Sequence, residues 1–375
     1  MKPIYLDYNA TTPIAKEVAD AMLPYLYENF GNPSSSHQLG VQAKLAVELA
    51  RKQVADLLGA NPREIIFTSG GTEANNHAIR GYCYQHQAHG KHIITSAIEH
   101  PAVLEVCKDL EQEGFQVTIL PVDTLGQVNP QDLRAAIQPD TILITIMHAN
   151  NEVGTIQKIE ELASIAKEHQ IAFHTDAAQS MGKITVRVEE LGVDMLSVAG
   201  HKLYAPKGIG VLYLRDGITI KNLMFGAGHE SGRRPGTENL LEIVGLGKAC
   251  MIAKRDLKKN MEHLLLMREF LFQSLQENLG NDRIKLNGHP EQRLPNTLSI
   301  GIKGVEAHAI LSKINDQVAI SAGSACHADL VTVSAVLQAM QVPIEWATGT
   351  LRISVGRETT QDDVTQAVAI LKSAI

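Results

Sequence analysis

Apolar residues along the first two thirds of the chain follow two alternating patterns. Short apolar runs, of which residues 141–147 form the most continuous one, predict strands that are buried on both faces. Between these runs, apolar residues recur at helical spacing, as in residues 38–58, where the predicted apolar face consists of Leu45, Leu49, Val54, Leu57 and Leu58. Repeated strand–helix units of this kind predict an α/β fold with a mostly parallel sheet flanked by helices.

The last third of the chain has a different character. A long helix is predicted over residues 239–279, and short strands separated by helices follow it. We interpret this part as a smaller α+β domain, because a chain of 375 residues is long for a single core. The predicted division is a large domain of residues 14–255 and a small domain of residues 1–13 and 256–375.

Polar residues follow several predicted strands at the points where the strands end. In open α/β sheets, ligands bind beyond the carboxyl ends of the strands. We therefore expect these side chains to share one site. They are His100, Asn151, Asp176, Gln179 and Lys202.

Lys202 has the most suggestive surroundings of this set. The apolar run that ends at Val198 is followed by small residues, by His201-Lys202 and by Gly208. A lysine in a desolvated site loses its proton easily and can form a Schiff base with an aldehyde. Taken alone, the stretch fits a surface lysine better, since most lysines are exposed. The residues at the neighbouring strand ends favour the functional interpretation.

A glycine turn links another predicted strand to a helix. It contains Gly70, Gly71 and Thr72. The N–H groups of a helix's first turn, together with a threonine hydroxyl, can bind a phosphate. The turn matches neither the Walker motif nor the dinucleotide fingerprint. A capped helix without a ligand is the alternative.

The composition limits the possible functions. Hydrophobic residues make up 44% of the chain and charged residues 20%, which is typical of a globular enzyme. The net charge of −7 argues against direct binding of nucleic acid. No apolar run is long enough to span a membrane, and the first residues lack the apolar segment of a signal peptide. The cysteines are too widely spaced for a metal knuckle, so we expect a cytoplasmic protein with reduced thiols and no bound metal.

Cys326 differs from the other cysteines in its surroundings. It lies among small residues in the segment 321–329, which suggests an accessible thiol, and His327 beside it would favour the thiolate. A small buried cysteine is the alternative. Cys83, Cys107 and Cys250 fall within helical patterns and are interpreted as packing residues.

Several motifs, in order and over nearly the whole chain, are similar to those of a known family. They resemble the cysteine desulfurases, pyridoxal-phosphate enzymes of the class V aminotransferase family with fold type I. The spacing from Cys326 to residues 334–337 is similar to that of the long-loop subgroup. The motifs are Tyr5-Leu6-Asp7-Tyr8-Asn9-Ala10-Thr11-Thr12-Pro13, Thr68-Ser69-Gly70-Gly71-Thr72-Glu73-Ala74-Asn75-Asn76, Glu99-His100, Asn150-Asn151-Glu152-Val153-Gly154, His174-Thr175-Asp176-Ala177-Ala178-Gln179-Ser180, Gly200-His201-Lys202 and Ser324-Ala325-Cys326.

The resemblance implies pyridoxal 5'-phosphate as the cofactor, with Lys202 attached to it. Asp176 would pair with the ring nitrogen, and His100 would stack on the ring and assist proton transfer. Gln179 and Asn151 would donate hydrogen bonds to the phenolic oxygen. The phosphate would be bound by Gly71, Thr72, His201 and, across a homodimer interface, Thr237.

The resemblance also implies a substrate, L-cysteine, and a sulfur-acceptor protein. Arg352 would bind the substrate carboxylate, with Asn32 nearby. The Cys326 thiolate would attack the substrate sulfur, giving L-alanine and a persulfide on Cys326. The expected catalytic residues are Cys326, Lys202 and His100.

Some residues depart from the family pattern. Ala199 stands where many members have serine or threonine, which removes one hydroxyl from the predicted phosphate site. His327 replaces the small polar residue usual in members that load iron–sulfur scaffolds, and such members often have a longer tail after the residue that matches Ile375. The pair Cys326-His327 is similar to desulfurases linked to DNA phosphorothioation and to selenocysteine lyases. A selenocysteine lyase, a class V aminotransferase and a scaffold without catalysis are the alternative functions.

Overall fold

A computed structural model of the chain describes residues 3–327 and 330–375, and for residues 324–327 and 330–332 it describes the backbone alone. The helices of the described residues are α1 (Lys16–Tyr27), α2 (Gln38–Leu58), α3 (Gly71–His86), α4 (Pro101–Gln112), α5 (Pro130–Ala136), α6 (Ile159–Glu168), α7 (Val188–Leu191), α8 (Leu240–Leu279), α9 (Ala307–Ile314), α10 (Ala335–Ala339), α11 (Ile344–Ala347) and α12 (Gln361–Ala374). The strands are β1 (Ile4–Tyr5), β2 (Ile65–Thr68), β3 (His92–Ser96), β4 (Gln116–Leu120), β5 (Thr141–Thr145), β6 (Ala172–Asp176), β7 (Met195–Ala199), β8 (Gly210–Leu214), β9 (Ile284–Leu286), β10 (Thr297–Ile302), β11 (Val318–Ala319), β12 (Ser321–Ala322), β13 (Ser324–His327), β14 (Leu330–Val333) and β15 (Thr350–Ser354).

A seven-stranded sheet, in the order β2-β8-β7-β6-β5-β3-β4, forms the centre of the molecule. The neighbours from β7 to β4 are parallel, and β8 is antiparallel to both β2 and β7. Every residue of β3, β5, β6 and β7 is buried, as expected for the strands of a parallel sheet that is covered on both faces. The predicted α/β fold with a mostly parallel sheet is confirmed.

Helix α2 is present as predicted, and its predicted apolar face is right at Val54, Leu57 and Leu58, which are buried, but wrong at Leu45 and Leu49. Leu45 and Leu49 are 66% and 58% exposed. The buried stripe instead runs through Ala43, Val47, Ala50 and Val54. Alanine contributes little to a hydrophobic pattern, yet its small side chain allows α8 to approach closely. A Cβ atom added to Gly247 of α8 would lie 2.6 Å from the Cα atom of Ala50.

A smaller core surrounds the antiparallel sheet β12-β15-β10-β9. Its buried residues come from the second half of α8, from α9 and from α12, and Leu6 joins them. Val336 and Leu337 pack instead in the core of the large sheet. The predicted boundary between residues 255 and 256 falls inside α8, and the domain limits stay a prediction.

No helix in the described ranges 3–327 and 330–375 combines the length and the apolar character that a membrane span requires.

Candidate active site

One cavity lies at the carboxyl ends of β5, β6 and β7, beside the N-terminus of α3. The structure places nine of the residues predicted from sequence along its wall. The other lining residues are Asn9, Ala10, Asn75, Ala102, Met147, Ala149, Ala178 and Ala199. The predicted residues along the wall are Gly71, Thr72, His100, Asn151, Asp176, Gln179, His201, Lys202 and Arg352.

Lys202 lies at the end of the 3-10 turn that follows β7. The turn begins at Gly200, where only glycine fits. A Cβ atom at this position would lie 2.8 Å from the Cγ2 atom of Ile209 and 2.9 Å from its carbonyl oxygen. The Lys202 Nζ donates hydrogen bonds to the carbonyl oxygens of Asn9 and Ala10, the second at 2.6 Å. The turn and the N-terminal segment together hold the amine at the cavity.

The surroundings of Lys202 lower the pKa of its amine to about 8. Burial is the main cause, and the positive charge of Arg352 adds to it, while Asp7 and Asp176 act in the opposite direction. A large fraction of the amine is therefore neutral near pH 8. The neutral form is the one that attacks a carbonyl carbon.

Asp176 ends β6 with its carboxylate at the cavity. Its Oδ2 accepts a hydrogen bond of 2.7 Å from Asn75 Nδ2, and its Oδ1 accepts one of 2.9 Å from the backbone N–H of Ala178. Sequence analysis did not assign a role to Asn75. The sequence signal that could have identified Asn75 was its position three residues after Thr72, which places both residues on one face of α3.

His100 is the N-cap residue of α4. Its Nδ1 accepts a hydrogen bond of 3.1 Å from the backbone N–H of Ala102, which leaves the proton of the neutral ring on Nε2. Burial lowers the pKa of His100, Asp176 opposes this shift, and Lys202 adds to it. The ring is thus neutral at neutral pH and presents its Nε2–H as a donor.

Asn9 connects several cavity residues, although sequence analysis gave it no role. It is buried, and its carbonyl oxygen accepts hydrogen bonds from Lys202 and, at 3.0 Å, from Gln179 Nε2. Its Nδ2 donates to the carbonyl oxygen of Asn151 at 3.1 Å. Asn9 lies within the N-terminal motif of residues 5–13, and this position was the sequence signal that could have identified it as a site residue.

The N-terminus of α3 forms one end of the cavity. The first N–H groups of a helix have no partner within the helix, and here Gly71 and Thr72 supply them at the wall. His201 joins them, with its Nδ1 3.1 Å from Thr11 Oγ1. Ala199 lines the cavity at this end with a methyl group. This end is suited to an anion.

Arg352 lies on β15 and lines the same cavity. Its Nη2 donates to Asp7 Oδ1 and to Ser321 Oγ, both at 2.9 Å. Its Nη1 lies 3.4 Å from the carbonyl oxygen of Asn151. The guanidinium is thus held in place by Asp7 and Ser321, in a position to bind a carboxylate.

Two predicted residues, Thr237 and Asn32, are not brought to this cavity, and the side chain of a third is not described. Thr237 lines a separate recess with Arg234 and Glu230. Asn32 lies in the segment between α1 and α2, where its Oδ1 accepts a hydrogen bond from the backbone N–H of Ser34. The side chain of Cys326 lies outside the described residues; its backbone belongs to β13.

Comparison with known proteins identifies the family. The family model described as aminotransferase class-V matches residues 4–367. The chain belongs to the class-V aminotransferase family.

Relatives of this class-V chain are similar to it over its full length. The protein named "Cysteine desulfurase IscS" from Dictyoglomus turgidum is 48% identical over 375 residues, which cover all of this chain and 95% of that protein. A solved structure titled "NIFS-LIKE PROTEIN" has a TM-score of 0.93 and 36% identity, and covers 100% of this chain and 99% of its own. Another, titled "SspA in complex with cysteine", has a TM-score of 0.81 and 39% identity, and covers 96% of this chain and all of its own. The resemblance to the cysteine desulfurases is confirmed.

Proposed function

We propose that this class-V protein is a pyridoxal-phosphate-dependent L-cysteine desulfurase, which forms L-alanine and a persulfide on Cys326 for transfer to an acceptor protein. The observation that carries this proposal is the convergence of the Lys202 amine, the Asp176 carboxylate and the N-terminus of α3 on one cavity. The cysteine desulfurase relatives and the similar structure solved with cysteine support the choice of substrate.

The residues of the cavity fit the chemical groups of the cofactor. Lys202 offers a partly neutral amine to the aldehyde, and Asp176 offers a carboxylate to the ring nitrogen. The first turn of α3 offers N–H groups to the phosphate, where Ala199 contributes no hydroxyl. When bound, the cofactor supplies an electron sink next to the substrate Cα.

Proton transfer is assigned to Lys202 and His100. With a pKa of about 8, Lys202 Nζ gains and loses a proton readily near neutral pH. We assign to it the transfer of the proton at the substrate Cα. His100 presents its Nε2–H to the same cavity and assists. Asp176 would hold the proton of the ring nitrogen when the cofactor is bound, and its own orientation is fixed by Asn75.

The sulfur step is assigned to Cys326. Its thiolate forms an S–S bond with the substrate sulfur while the Cβ–S bond of the substrate breaks. The electron pair of the broken bond stays on Cβ, which takes up a proton to complete L-alanine. This step distinguishes a desulfurase from an aminotransferase.

The reaction is tested by supplying the purified protein with pyridoxal phosphate, L-cysteine and a thiol reductant. We expect alanine and sulfide in equal amounts. Release of a keto acid instead of alanine would indicate an aminotransferase. Turnover of selenocysteine with rejection of cysteine would indicate a selenocysteine lyase.

Replacement of Arg352 by Gln should mainly weaken substrate binding. A lost charge-assisted hydrogen bond raises the KM for L-cysteine by about 10- to 100-fold. The amount of cofactor that binds should stay unchanged, because the hydrogen bonds of Arg352 are with Asp7, Ser321 and the carbonyl oxygen of Asn151. Steady-state kinetics with cofactor titration test this. Arg215→Gln, on the solvent-facing ion pair with Glu189, is the control, and an equal KM change there would contradict the assignment.

We further propose a homodimer in which Thr237 completes the phosphate site of the partner subunit. Thr237 is outside the cavity of its own chain. The apolar residues Leu45 and Leu49 of α2, and Phe225 at 93% exposure, are on the surface of the single chain. A second copy of the chain would bury them.

Introducing charge on α2 should therefore produce monomers. We expect the double variant Leu45→Glu, Leu49→Glu to sediment as a monomer and to bind pyridoxal phosphate more weakly than wild type, because carboxylates are costly to bury at an interface. The matched control is Leu265→Glu, Leu266→Glu on α8, where the leucines are 45% and 56% exposed. A dimeric α2 variant in sedimentation velocity would contradict the proposed interface.

The other features predicted from sequence stay predictions. These are the acceptor protein, the cytoplasmic location, the link to DNA phosphorothioation and the position of Asn32 near the substrate.

A further inference from the structure

Lys183 is a buried lysine beside the cavity, and the roles described above do not use it. It is 6% exposed and follows Gln179 by four residues. Its Nζ donates a hydrogen bond of 2.7 Å to Gln179 Oε1 and one of 3.2 Å to Asn9 Oδ1. Both acceptors are neutral amide oxygens. Burial, with contributions from the charges of Lys202 and Arg352, lowers the pKa of Lys183 well below its ordinary value.

The amide of Gln179 has its orientation fixed from two sides. The Lys183 amine donates to the oxygen of the amide. The carbonyl oxygen of Asn9 can only accept and requires the nitrogen, with Gln179 Nε2 at 3.0 Å. A rotated amide would place its oxygen against the Asn9 carbonyl oxygen and would lose the hydrogen bond that its oxygen accepts from Lys183. Since Nε2 carries two hydrogens, the nitrogen end of the amide retains one N–H for the cavity that Gln179 lines.

Lys183 acts on Asn9 in the same way. The Oδ1 of Asn9 accepts from Lys183 and, at 2.9 Å, from Asn296 Nδ2. Its Nδ2 therefore faces the acceptors on the other side, which are the carbonyl oxygen of Asn151 and the hydroxyl of Thr297. One amine thus orients the amide of Gln179 directly and supports the Asn151 segment through Asn9.

We propose that Lys183 is a positioning residue that orients the Gln179 amide with its N–H groups towards the cavity, where they meet the phenolic oxygen of the cofactor. The inference rests on the proposed function, because it takes that oxygen as the acceptor. Lys183 itself does not line the cavity and acts on it through Gln179.

The first test is the pH dependence of the visible absorption of the cofactor-loaded protein. Lys183→Met fills a similar volume without a donor, so the Asn9 carbonyl oxygen alone orients the Gln179 amide and the rotated form becomes populated. The phenolate then loses a donor that stabilises it, and the midpoint of the absorption change should rise by about one pH unit, the equivalent of one hydrogen bond to a charged group. Ser180→Ala is the control, because this buried hydroxyl donates only to the carbonyl oxygen of Ala177 and should leave the midpoint unchanged.

A double variant shows whether Lys183 acts through Gln179. In the Gln179→Met background, adding Lys183→Met should produce no further shift of the midpoint. A Lys183→Met protein with the wild-type midpoint, or an additional shift of the same size in the double variant, would overturn the inference.

The second test uses the cofactor-free protein and is independent of the proposed function. Lys183→Met leaves the Gln179 oxygen buried without its donor, whereas removing both partners leaves neither unpaired. We expect the double variant to have a higher Tm than Lys183→Met, a comparison that also holds where the single variant folds poorly. A double variant that is no more stable than the single one would overturn the inference, while wild-type protein that binds no cofactor would overturn the proposed function instead.

Discussion

The Lys202→Ala variant should bind pyridoxal phosphate without a covalent bond and should lose about a thousandfold or more of the desulfurase rate. The amine of Lys202 supplies both the attachment point and the assigned base at the substrate Cα. Borohydride reduction followed by peptide mapping should label the peptide that contains residue 202 in the wild type and no peptide in the variant.

The control for this variant is Lys207→Ala, because Lys207 is exposed and lies five residues further along the chain. It should retain both the label and the activity. A labelled lysine in Lys202→Ala, or wild-type turnover by that variant, would refute the assignment.

The pH dependence of cofactor attachment tests the same lysine. Only the neutral amine attacks the aldehyde, so the rate of attachment to the cofactor-free protein should rise with pH and level off above about 8, the pKa of Lys202. An exposed lysine would show this plateau only above pH 10 or so. Stopped-flow absorbance measurements between pH 6 and about 10 distinguish the two cases.

The Cys326→Ser variant should bind the cofactor as the wild type does and should produce sulfide only at background level. A hydroxyl at this position is a far weaker nucleophile towards sulfur than a thiolate. Cofactor absorption, sulfide release under reductant and mass spectrometry of the persulfide together test this. Normal sulfide output from Cys326→Ser would exclude Cys326 as the nucleophile.

The rate of alkylation should distinguish the Cys326 thiol from the thiols of the other cysteines. Cys83, Cys107 and Cys250 are buried, and burial raises the pKa of each thiol, so they should react slowly. Brief treatment of the native protein with iodoacetamide should therefore give a single adduct, on Cys326. The same adduct is expected in Cys107→Ala and none in Cys326→Ser. Rapid labelling of a buried cysteine, or protection of Cys326, would contradict the predicted exposure.

The central sheet and most of the cavity wall follow from local patterns. Asp176, Gln179 and Lys202 lie just beyond consecutive parallel strands, and the carboxyl ends of such strands meet at one edge of the sheet. Their neighbourhood was therefore predictable once strands and helices were recognised. The buried face of the first half of α2 was not, because Ala43 and Ala50 are weak hydrophobic signals and Leu45 and Leu49 are strong ones.

Contacts between distant parts of the chain required the tertiary structure. Asn75 and Asp176 are 101 residues apart, and Lys202 and Asn9 are 193 apart, yet each pair forms a hydrogen bond. The bonded groups, of which the one on Asn9 is the backbone carbonyl oxygen, meet only because the N-terminal segment and α3 pack against the ends of β6 and β7. Sequence spacing contains no information about such a meeting.

The sequence by itself determined the alternation of strands and helices, the family resemblance and the choice of Lys202, since these depend on residue order and on short motifs. The tertiary structure alone decided how the polar groups around Lys202 are paired, including the roles of Asn9 and Lys183. The physical reason is that a buried polar group is oriented by whichever donors and acceptors packing brings within about 3 Å of it, and packing depends on the whole chain.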